Sequence, residues 1–165
     1  MLTSCAIFAL VKYHKNIIIM CTCIDIIKET YTDVLEQTEY VAKQSFNMDD
    51  YLDAIIHFTK QFESLTEKID NLVELVRDHF TELTIDESKE LLAESKVMRK
   101  NMAQLYKSAC ESSFYPGLKT VVKKYHESVS DFSELCNDLE TWNVSIPTDA
   151  EFQKTIDTLN SLLEQ

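Results

Sequence analysis

The chain has 165 residues, of which 45% are hydrophobic and 27% charged, the balance of one globular domain. One glycine and two prolines leave too few turn formers for a many-stranded fold, so sandwiches, barrels and doubly wound sheets are excluded at the outset. Sixteen Lys and Arg against twenty-eight Asp and Glu give a net charge of −12, which argues against nucleic acid and anionic membrane as partners and for a basic protein or a cation.

Residues 1–23 stand apart in composition, with Lys12 and Lys15 but no acidic residue. Lys12, His14 and Lys15 interrupt the apolar stretch, so it reads neither as a secretory signal nor as a spanning helix. The preferred reading is an extension upstream of a natural start at Met20. The alternatives are a segment around Ile17 to Ile19 that docks on the rest, or a degenerate membrane anchor.

From residue 24 the apolar residues recur at alternating three- and four-residue steps, the signature of packed helices. The first seam is Ile24, Ile27, Tyr31, Val34, Thr38 and Val41, with Leu35 widening it. Asn47 is the expected N-cap of a second helix, with Asp50 at its third position and Phe46 and Tyr51 as a hydrophobic staple. That helix carries Ile55, Phe58, Phe62, Leu65, Ile69, Leu72 and Val76 and ends between Phe80 and Leu83.

Thr84-Ile85-Asp86-Glu87 is a capping box that opens a third helix. Its seam is Leu91, Ser95, Met98, Met102, Leu105 and Ala109, and it must stop before Pro116. After the Pro116-Gly117 break a fourth seam follows: Leu118, Val122, Tyr125, Val129, Phe132, Cys136 and Leu139, flanked by Trp142. Asn143 to Pro147 is expected to turn. Thr148 to Glu151 forms a second capping box, leading a short fifth helix through Phe152, Ile156, Leu159 and Leu163.

These elements specify an all-α fold, an antiparallel up-down bundle of four long helices plus a short C-terminal fifth, with residues 24–165 as one domain. Short links imply that consecutive helices lie antiparallel to one another. A homodimer joined through leftover apolar flank positions is the rival assembly.

The chemistry such a bundle could host is narrowed by what is missing. Phosphate-binding loops, dinucleotide turns and nucleophile elbows need clustered glycines, and this chain has one. Asp49, Asp50 and Asp53 lack the glycine of a calcium loop and suit a helix N-terminus. No Glu-x-x-His precedes His57, His79 or His126, and no H-E-x-x-H occurs. The five cysteines, at irregular spacing and odd in number, read as free thiols of a reducing, cytoplasmic compartment. Cys21-Thr22-Cys23 has the wrong spacing for a redox pair. Cys136 falls within a seam, where a thiol is inert, and Cys110 falls outside one.

One pattern remains. Glu63, Glu67, Asp70, Glu74 and Asp78 form a stripe opposite the second apolar seam, although like charges four apart repel. The expectation is therefore a non-enzymatic interaction or structural module, without metal or cofactor, that offers this acidic face to a protein partner. Swapping Glu67, Asp70 and Glu74 for Gln should slow association at low salt. An enzyme or cofactor carrier with a site between helices is the alternative, and a membrane-tethered helical protein the second.

Overall fold

The computed structural model describes residues 4–44, 46, 48–145 and 154. Within them the chain forms four long helices: α1 (Ser4–Lys43), α2 (Tyr51–Asp78), α3 (Ile85–Glu111) and α4 (Tyr115–Ser145), with a single 3-10 turn at Phe80–Glu82. No strand occurs among the described residues. The capping box of the fifth helix and its seam from Phe152 to Leu163 lie outside them. So do Ile146 and Pro147, but Asn143 to Ser145, expected in a turn, continue α4.

Each helix begins and ends for a local reason. Asp50, not Asn47, caps α2: its carboxylate accepts the Asp53 amide at 2.9 Å. The start is shifted because Phe46 adopts a left-handed backbone (φ 48°) that swings its ring onto Phe58 and Phe62, with centroids 4.6 and 6.2 Å apart. Tyr51 meanwhile packs on Phe114, so the anticipated Phe46–Tyr51 staple is replaced by two separate aromatic contacts. The α3 capping box forms as expected. Thr84 Oγ1 accepts the Glu87 amide, and Glu87 Oε2 accepts the Thr84 amide at 2.8 Å. Pro116 sits in the first turn of α4 instead of between helices, where its missing N–H is no loss.

The seams bury as the periodicity requires. Every described position of the third and fourth is buried, as are all of the first beyond the half-buried Ile24. In α2 the fully buried Ala54 carries the seam's first turn, leaving Ile55 half-buried against the core. The composition boundary at residue 24 falls inside α1 and does not separate two elements.

The order of helices around the bundle departs from the simplest expectation. α1 packs on α2 and α3, and α4 packs on the same two, which sets α2 and α3 across a diagonal. Paired residues give the directions. Asp33–Lys68 and Gln44–His57 make α1 and α2 antiparallel, as Lys96–Glu140 and Met102–Tyr125 do for α3 and α4. Lys28–Glu90 and Tyr31–Ser95 make α1 and α3 parallel, and Phe62–Tyr125 with Phe80–Trp142 does the same for α2 and α4. Successive helices alternate up and down, but residues 79–84 carry the chain across the bundle rather than to the adjacent rod. Six residues reach about 20 Å, more than enough for a diagonal set by neighbours 8–10 Å apart.

Candidate functional site

The acidic stripe lies where the helical period puts it. Glu63, Glu67, Asp70, Glu74 and Asp78 are all exposed on the outer face of α2, away from Phe62, Leu65, Ile69, Leu72 and Val76. Their treatment differs from that of three acids at helix boundaries, although exposed Glu36, Glu94 and Glu134 also make no ion pair among the described residues. Asp33, Glu90 and Glu140 each meet a lysine of a neighbouring helix at 2.9 Å. Those contacts tie α1 to α2, α1 to α3 and α3 to α4. Among the described residues no ion pair bridges α2 to α4, and none neutralises any of the five stripe carboxylates.

The α2–α4 boundary is also the site of an open groove of about 410 Å³, lined by Glu63, Thr66, Glu67 and Asp70 on one side and by Val121 and Lys124 on the other. Three of the five stripe residues are thus brought to one recess, and Glu74 and Asp78 extend the same face beyond it. Three carboxylates against one ammonium leave the recess negative. A negative recess attracts cationic groups, whose hydrogen bonds to carboxylates are the strong, charge-assisted kind.

Two residues of this face lay outside the seam-based reading. Leu52 and Ile56 stand on the same line of α2 as Glu63, Glu67, Asp70 and Glu74, two turns before the acids begin, and are 66% and 48% exposed. Their own spacing of four residues was the available signal: an apolar pair that shares a helical face but belongs to no core seam.

The other chemistry-bearing side chains are engaged locally. His79 caps α2 and lies 3.0 Å from Glu82, His57 pairs with Gln44 at 2.7 Å, and His126 stacks on Tyr106. Asp50 is committed to its cap. Cys136 is buried, and burial pushes its thiol above the ordinary range, holding it protonated. Cys110 is half-buried, and its proximity to Tyr106 holds the tyrosine hydroxyl above its ordinary range. Among the described residues no three His, Cys, Asp or Glu side chains converge as metal ligands would. No helix among them is long and apolar enough to cross a membrane.

Compared with family models, with characterised proteins and with solved structures, the chain shows no significant match.

Proposed function

We propose that this protein is a non-enzymatic interaction module whose α2 outer face engages a basic protein partner. The observation that carries the reading is the run of five exposed carboxylates, none of them neutralised by an ion pair among the described residues. They span Glu63 to Asp78 on a helix held rigidly by its opposite seam. These sixteen residues of α-helix make a charged rail about 22 Å long. Such a rail raises the rate of encounter with a complementary surface more than it deepens the complex, and its effect fades as salt screens it.

Two further features complete the reading. The pattern from Thr148 to Leu163 supports a short fifth helix after α4. Five cysteines in no paired arrangement support a reducing, cytoplasmic setting.

The test is kinetic. Partners captured by the full chain are identified by mass spectrometry, and their association is followed by stopped flow from low to high salt. The on-rate should fall with salt, and E67Q/D70Q/E74Q should lower it and flatten that dependence while thermal unfolding stays unchanged. An on-rate indifferent to both salt and these substitutions removes the acidic face from the function.

A further inference from the structure

We infer that the exposed apolar residues at the start of α2 and the acidic stripe beyond them form one docking face, and that its occupant is a basic amphipathic segment of another protein. The inference rests on the acidic-face reading above and adds an anchor to it.

Four of the seven large apolar side chains exposed among the described residues gather at this one place: Met48, Tyr51, Leu52 and Ile56. Leu52, Ile56, Glu63, Glu67, Asp70 and Glu74 follow one another at steps of four, seven, four, three and four, so all six lie on one helical line. The apolar end is also held firmly. Tyr51 packs on Phe114 with ring centroids 5.6 Å apart. Gly117 lets the first turn of α4 press against Ile55 and Tyr51, since a Cβ there would lie 2.9 Å from Ile55 Cγ1 and 3.3 Å from the Tyr51 hydroxyl. The backbone that carries Leu52 and Ile56 is thereby fixed, so little backbone freedom is lost when the patch is covered.

Charge selects the occupant. The patch is bordered by exposed Asp49 and Asp53 and continues into the stripe, with one exposed cation, Lys60, on the same line between Ile56 and Glu63, outnumbered by the acids that follow. A second copy laid parallel along α2 would set carboxylates against carboxylates, and one laid antiparallel over Leu52 and Ile56 would leave both acidic stripes uncovered, in a chain of net charge −12. The chain's own residues 146–165 carry Asp149, Glu151, Asp157 and Glu164 against Lys154, the same sign as the face. A helix with two apolar residues four apart, followed along the same face by Lys or Arg at three- and four-residue steps, matches both halves. From Leu52 to Glu74 the face is about 33 Å long, the reach of six helical turns.

The probe is a synthetic helical peptide of that design, with a second peptide in which its two leucines are serine. Binding to the full chain is followed by fluorescence anisotropy at low and moderate salt. The leucine peptide should bind about tenfold more tightly than the serine peptide, as expected for partial burial of two aliphatic side chains. L52S/I56S should abolish that difference without altering binding of the serine peptide, and E67Q/D70Q/E74Q should weaken both. Both substitution sets fall on exposed positions, and circular dichroism melts verify that each variant is folded. Equal binding of the two peptides overturns the anchor, even if the acidic substitutions still weaken both. Failure of either peptide to bind at low salt overturns the acidic-face reading and this inference with it. A wild-type dimer in sedimentation that L52S/I56S converts to monomer assigns the patch to a second copy, and so contradicts the inference.

Discussion

Tyr31 on α1 and Ser95 on α3 share a hydrogen bond in the middle of the core, with Ser95 Oγ also donating to the Leu91 carbonyl at 2.6 Å. The serine's single hydrogen is thereby committed, so the tyrosine hydroxyl donates to it. Both residues occupy seam positions, and their bond fixes the register of two parallel helices. Tyr31→Phe should lower stability by about 1 kcal/mol, and Ser95→Ala by about 1–3 kcal/mol because it strands a buried hydroxyl. Urea unfolding of the double variant should show less loss than the two single effects added.

Ser88, two turns earlier on the same helix face, predicts the opposite sign. Its hydroxyl is fully buried with no hydrogen-bond partner. Ser88→Ala removes that unsatisfied group and improves helix propensity. It should raise the unfolding free energy by about 1 kcal/mol, read from the urea midpoint at unchanged slope.

The alkaline limb of stability should be steep. Burial raises the pKa of both Tyr31 and Tyr125 well above the ordinary tyrosine value near 10. Above that pH the unfolded chain releases both protons while the folded chain retains them, so the native state binds more protons and loses stability as pH rises. Two tyrosines contribute a slope of about 2.7 kcal/mol per pH unit beyond pH 10. Denaturant titrations at stepped pH should show it, and Tyr31→Phe should remove about half.

At Gly117 two effects compete. Alanine in the first turn of α4 gains up to about 1 kcal/mol in helix propensity. Its methyl group also meets Ile55, and overpacking of this kind costs about 1–3 kcal/mol. Gly117→Ala should therefore destabilise the wild type, and do so less, or reverse sign, in an Ile55→Val background where the clashing methyl is gone. Thermal melts of the four proteins of this cycle measure the coupling directly.

The four core stripes were legible because burial on a helix repeats at 3.6 residues and seam residues must follow it. Leu91 to Ala109 and Leu118 to Leu139 are buried position for position. Periodicity describes one rod at a time, however, and is silent on which rod lies beside which. The diagonal placement of α2 and α3 depends on how residues 79–84 leave His79, a matter of three-dimensional path. The Asp50 cap was misread as Asn47 for a related reason: Phe46 enters the core through a left-handed backbone that no propensity assigns to phenylalanine. The stripe from Glu63 to Asp78 was visible as charge against an apolar period. The groove it shares with Lys124 was not, because Val121 and Lys124 reach it from a helix some sixty residues away in sequence.

Amide chemical-shift mapping of the isotope-labelled full chain, titrated with its captured partner, addresses the central claim most directly. Binding through the α2 outer face should perturb amides from Leu52 to Asp78 and those of Val121 and Lys124 across the groove, leaving the outer faces of α1 and α3 silent. Perturbations centred on α1 and α3, around Glu90 and Lys96, with α2 unchanged, would contradict the account.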